Sequence, residues 1–120
     1  AVQVPGGWCL NGSKIWTSNA HLNHFMVTLV RTAPATENRH EGMSQFIVPI
    51  HADGVTVRGI DNLAGEQDFN QIFFDDVFVP DDHVVGEAGN GWAQVMSELA
   101  YERSGPERFL SAFRVLAEFG

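Results

Sequence analysis

Lys14-Ile15-Trp16-Thr17-Ser18-Asn19, preceded by Asn11-Gly12, is the stretch on which the reading of the chain turns. Asn-Gly between Trp8-Cys9-Leu10 and Lys14-Ile15-Trp16 is a strong short-range hairpin signal, because the central residues of a type I′ turn need positive φ, which Asn and Gly tolerate best. The sequence therefore predicts two strands, residues 8–10 and 14–18, joined by that turn. Side chains alternate along a strand, so Trp16 and Ser18 share one face and Thr17 takes the other. A large aromatic beside a hydroxyl at a strand end can grip a flat ring with a polar edge. The plain alternative is a Trp packed in a β core next to an edge hydroxyl.

Working outward, residues 25–31, 44–50, 55–60 and 71–78 are short runs rich in β-branched and aromatic residues, separated by Gly, Pro, Asn and Asp. With the first two they predict about six strands of an antiparallel barrel or sandwich. Residues 33–42 and 61–68 read as surface loops. From Gly91 the period changes: Trp92, Val95, Met96, Leu99, Ala100 and Arg103 recur at helical spacing, so a helix starts near Asn90. Pro106 lacks an N–H and Gly105 weakens the same turn, which predicts a kink just past Glu102. Phe109, Phe113, Leu116 and Ala117 then resume an apolar stripe that needs a partner helix.

The chain has 120 residues, enough to bury roughly two thirds of its extended surface. Fifteen acidic against seven basic residues give a formal charge of −8, with no Lys/Arg run, which argues against nucleic-acid or anionic-membrane binding. The apolar runs are far short of a membrane span, and the single Cys9 offers no intrachain disulfide and no multi-Cys metal frame. The expectation is a soluble protein of a reducing compartment. His21-Leu22-Asn23-His24 has metal spacing only if helical, and its context is a turn, so no metal site is expected. His40, His51 and His83 are expected to be exposed loop residues.

Several motifs carry a resemblance in the same order along the chain. They are Trp16-Thr17-Ser18, then Phe73-Phe74-Asp75-Asp76-Val77-Phe78-Val79-Pro80, Val84-Val85-Gly86-Glu87, Gly89-Asn90-Gly91-Trp92 and Leu99-Ala100-Tyr101-Glu102-Arg103. Together they resemble the acyl-CoA dehydrogenases, from the back of that family's middle β-domain (residues 1–88) into the first helix of its C-terminal helical domain (residues 89–120). The resemblance implies a piece of a longer protein, inactive alone, whose N-terminal helical domain and most of whose helical bundle lie elsewhere. It implies FAD as cofactor, with Trp16 and Ser18, and less so Thr17, contacting the flavin. It further implies α,β-desaturation of an acyl-CoA: a carboxylate takes the α-proton while the β-hydrogen leaves as hydride. A homotetramer passing electrons to an electron-transfer flavoprotein, in a bacterial cytoplasm or the mitochondrial matrix, goes with that assignment. A flavin monooxygenase on the same scaffold, or a non-enzymatic β-sandwich binding module, are the alternatives.

Glu102-Arg103 is the pair with most at stake. In the isovaleryl-type and long-chain-type branches the catalytic carboxylate occupies the place Glu102 matches, and in most others it lies further along. Glu98 sits at i−4, and a like-charge neighbour disfavours ionisation, so either carboxylate is a candidate to titrate high. The opposing reading has both glutamates solvated and Arg103 paired with Glu107 at i+4. Arg103 resembles a position that orders the active site, and Leu99 one that lines the acyl pocket. Asp75 and Asp76 read as an outward-turned pair on a closing strand that Pro80 ends. Gly89-Asn90-Gly91 reads as an ordinary flexible helix start rather than a phosphate cradle. Gln67-Asp68-Phe69-Asn70 departs from the family's Ser/Thr-rich stretch before that strand.

Overall fold

The computed structural model describes residues 1–119; the side chains of Phe109, Ser111 and Leu116 and all of Gly120 lie outside that description, so the expected stripe positions Phe109 and Leu116 are not among the described residues. Strands β1 (Val2–Val4), β2 (Gly7–Ser18), β3 (Phe25–Arg31), β4 (Met43–Pro49), β5 (Val55–Ile60), β6 (Phe69–Pro80) and β7 (Val84–Val85) precede helices α1 (Gly91–Arg103) and α2 (Glu107–Phe119). One sheet runs β1-β2-β6-β5 and the other β3-β4-β7, with every strand pairing antiparallel. Leu10, Ile72, Phe74, Val77 and Val79 of the first sheet and Phe46 and Val48 of the second form the buried core between them. The mainly-β antiparallel sandwich with a C-terminal helix is the architecture the alternation of residues called for.

The chain does not turn at Asn11-Gly12. Residues 8–10 and 14–18 are one strand, β2, laid along the equally long β6, with Trp8 opposite Val79 and Lys14 opposite Ile72. The reversal falls earlier, at Pro5-Gly6, where Val4 pairs with Gly7 to join β1 to β2. Pro followed by Gly6 at φ 80° has the residues and the left-handed glycine of a type II turn. Asn11 fails as a turn residue because its amide is used across the strands. Its Oδ1 accepts the Asp76 N–H at 2.9 Å and its Nδ2 donates to Asp76 Oδ1 at 2.8 Å. Two residues of β6, Asp75 and Asp76, there oppose Asn11 alone, a bulge in which Asp76 takes φ 49°.

A second bulge runs the other way: Ile15 and Trp16 of β2 oppose Gln71 alone, and Trp16 takes φ 62°. The inward positions of β2 are thereby Leu10 and Lys14, opposite Val77 and Ile72, and then Thr17, opposite Asn70. Strict alternation from Lys14 would instead have driven Trp16 and Ser18 into the core.

The expected kink is a full break. α1 ends at Arg103, where the Ser104 N–H and hydroxyl both reach the Tyr101 carbonyl, and α2 starts afresh with the Leu110 N–H on the Pro106 carbonyl. Pro106 cannot continue a helix but is pre-shaped to begin one. Arg103 and Glu107 thus sit on different helices, and the i+4 pairing expected for them loses its geometric basis.

Candidate functional site

At the far end of β2 the second bulge displays the indole. Trp16 is 62% exposed and meets the Phe69 ring edge-on, centroids 6.1 Å apart at 83°. Phe69 lies directly opposite Ser18, so Trp16, Phe69 and the exposed Ser18 share one outer side. Thr17, half-buried, faces inward opposite Asn70.

Asn70 fixes this strand end. It is fully buried, its Nδ2 donates to the Thr17 carbonyl at 3.1 Å, and its Oδ1 faces His21 Nδ1 at 3.2 Å. With the amide nitrogen committed to Thr17, the oxygen must accept from His21, which assigns the imidazole proton to Nδ1. The Asn19 N–H donates to the Asp68 carbonyl at 2.8 Å and Asn19 adopts φ 53°, closing the exit from β2 into the 3₁₀ turn Ala20–Leu22.

The remaining candidates ride on α1, which packs on β4. Its start is tightly seated: the Gly89 N–H donates to Ser44 Oγ at 2.8 Å, and Gly91 is buried against the Ser44 backbone. Gly89-Asn90-Gly91 is therefore a packed joint, where the sequence suggested a flexible one. His40, expected to be exposed, is half-buried and stacks on Trp92 with centroids 4.0 Å apart at 19°, pinning the 33–42 loop to α1. His83 is also half-buried, its Nδ1 3.0 Å from the Ile47 carbonyl. Leu99 is half-buried, whereas Glu102 and Arg103 are exposed on the last turn. Glu98 is drawn to the sheet by Gln45, whose Nε2 donates to its carboxylate at 3.2 Å. The structure thus gathers Trp16, Thr17 and Ser18 at one strand end and Leu99, Glu102 and Arg103 at one helix end.

Two electrostatic features flank β2. Lys14 turns inward to donate to the Leu29 carbonyl at 2.6 Å, and burial lowers its pKa. Asn11 first, and the Cys9 thiol second, hold the Asp76 carboxyl below its usual range; partial burial and then Asp76 push the Cys9 thiol up.

Phe69 and Asn70, noted in the sequence only as part of the departing stretch 67–70, are site-shaping residues. A signal was available: Asn70 is the lone polar residue at an inward position of β6, in step with Ile72 and Phe74, and a buried Asn must find partners.

The acyl-CoA dehydrogenase middle-domain profile matches residues 1–77. The chain belongs to the acyl-CoA dehydrogenase family. Acyl-CoA dehydrogenase FadE34 of Mycobacterium tuberculosis is 42% identical over 103 residues, 86% of this chain and 14% of that protein. Among solved structures, the Tcur3481-Tcur3483 steroid ACAD G363A variant superposes with a TM-score of 0.77 at 32% identity, over 85% of this chain and 26% of that one. The FAD complex of PigA superposes at 0.69 with 28% identity, over 78% and 24%. The chain therefore spans about a quarter or less of the length of these relatives. This acyl-CoA dehydrogenase segment contains no helix, among its described residues, long and apolar enough to cross a membrane.

Proposed function

We propose that this chain supplies the flavin-facing wall and part of the acyl pocket of an FAD-dependent acyl-CoA dehydrogenase that desaturates an acyl-CoA thioester between its α and β carbons. The observation that carries the reading is the bulge that turns Trp16 and Ser18 outward together, on a strand end that Asn70 and Phe69 brace. An exposed indole with a hydroxyl on the same side fits a flat ring with a polar edge, and the likeness to an FAD complex points to the same ring.

The chemistry supplied by bound FAD is acceptance of the hydride that leaves the acyl β-carbon. Trp16 would offer the ring a planar face, and the Ser18 hydroxyl would donate a hydrogen bond to its polar edge. Thr17 contributes through its backbone, which Asn70 holds. Glu102, exposed on the last turn of α1, takes the α-proton on its carboxylate. Arg103 beside it orders the polar surroundings, and Leu99 lines the acyl pocket. A steroid-derived acyl thioester is the substrate to test first, in view of the steroid ACAD among the structural relatives. A homotetramer and an electron-transfer flavoprotein acceptor, in a bacterial cytoplasm or mitochondrial matrix, complete the proposal.

The test is anaerobic addition of acyl-CoA to the full-length protein reconstituted with FAD. The yellow absorbance should bleach with substrate, and Trp16→Ala with Ser18→Ala should shift the spectrum and slow the bleaching. A protein that stays colourless, or a double variant with unaltered spectrum and turnover, refutes the assignment.

A further inference from the structure

We propose that Asn11-Gly12 is a self-modification site, at which the Asn11 side chain is lost as ammonia to give an acidic residue, and that Asp76 holds the reaction back. Asn11 and Gly12 are both exposed, and Gly12, at φ 139° and paired with Phe74, has open space where a Cβ would stand, so no side chain crowds the Asn-Gly step. In the reaction the Gly12 nitrogen attacks Cγ of Asn11. The new N–Cγ bond forms as the Cγ–Nδ2 bond breaks, and the Gly12 proton departs with the former amide nitrogen as ammonia. One water then opens the five-membered imide to aspartate or isoaspartate; no oxidant or reductant is involved.

Attack requires the Asn11 amide plane to swing toward Gly12, and both of its polar atoms are turned to Asp76 instead. Nδ2 donates to Asp76 Oδ1 at 2.8 Å, and Oδ1 accepts the Asp76 N–H at 2.9 Å. Conversion would replace the donor by a carboxylate facing Asp76, so the clasp that holds the first bulge becomes a like-charge contact. The chain carries its own reference in Asn90-Gly91, where Gly91 is buried and a Cβ would lie 2.8 Å from the Ser44 backbone.

The experiment ages the full-length protein at mildly alkaline pH and maps peptides by mass, reading conversion at Asn11 relative to Asn90. Asp76→Gly removes the acceptor while its φ of 49° suits glycine, and Asp76→Asn keeps an acceptor oxygen. The Asn11:Asn90 ratio should rise about tenfold in Asp76→Gly, the factor that one lost hydrogen bond allows, and stay near wild type in Asp76→Asn. An unchanged or lowered ratio in Asp76→Gly overturns the proposal. So does a folded wild-type protein whose Asn11 converts as fast as in the same protein unfolded in urea.

Discussion

Replacing Gly91 by alanine reverses the ordinary sign of a glycine-to-alanine change in a helix. At an unobstructed helical position the methyl gains up to about 1 kcal/mol. Here it would stand 2.8 Å from Cα and C of Ser44 and from Leu29 Cδ1, whereas ordinary contact begins at 3.4 Å, so the helix start must lift by 3.4 − 2.8 = 0.6 Å. Two of those atoms are backbone of β4 and cannot rotate away. Overpacking of this kind costs about 1–3 kcal/mol, and lifting the helix also strains the Gly89 N–H bond to Ser44, worth about 1 kcal/mol. The net expectation is a local loss of about 2 kcal/mol, which hydrogen exchange reads as roughly 30-fold faster opening of α1 amides. The amides of β2 and β6 should keep their rates, because the core between the sheets is untouched. Unchanged or slowed exchange in α1 would show that the helix is not seated on Ser44 as described. Under the roles proposed for Leu99, Glu102 and Arg103 on α1, turnover of the full-length protein should fall in the same variant.

Lys14→Met tests the inward lysine. Its pKa is lowered in the fold, so in the alkaline range the unfolded chain holds more protons and wild-type stability gains with rising pH until the ordinary lysine pKa is passed. The variant should lose that gain while staying within about 1 kcal/mol of wild type at neutral pH, since relief from desolvation offsets the lost Leu29 bond; parallel pH profiles of the two unfolding midpoints would contradict it. Asn70→Ala should cost about 2 kcal/mol, because it leaves the Thr17 carbonyl buried without its donor and opens a void, and a change in denaturant midpoint equivalent to under about half a kcal/mol would contradict the bracing role.

The strands were legible wherever runs of β-branched and aromatic residues stand between turn residues, as in β3, β5 and β6. Helix α1 was legible from Trp92, Leu99 and their neighbours. What misled was local turn chemistry read without its cross-strand partner. Asn-Gly satisfies a hairpin turn in isolation, yet Asp76, sixty-five residues away, uses the Asn11 amide to make a bulge. The strand β1 was missed because three residues carry little periodic signal, although Pro5-Gly6 marks its turn. Trp16 and Ser18 share one side and Thr17 takes the other, as alternation over 16–18 implies; that this side is the outer one follows from the extra residue in β2, which no single-strand pattern announces. His40 looked exposed because its stacking partner, Trp92, is fifty-two residues on. The break at Gly105-Pro106 was marked by composition, and only its completeness was not.

The extra residue in β2 makes pairing, more than strand length, the determinant of what this strand end displays. Deleting Ile15 would leave Trp16 opposite Gln71 and Thr17 still opposite Asn70, so the indole and the neighbouring alcohol would stay outward on a regular strand, whereas sliding the strand by one step without a deletion would hide them. What faces outward at this strand end is therefore set by the pairing of Thr17 with Asn70, and the strand can lose its extra residue without changing it.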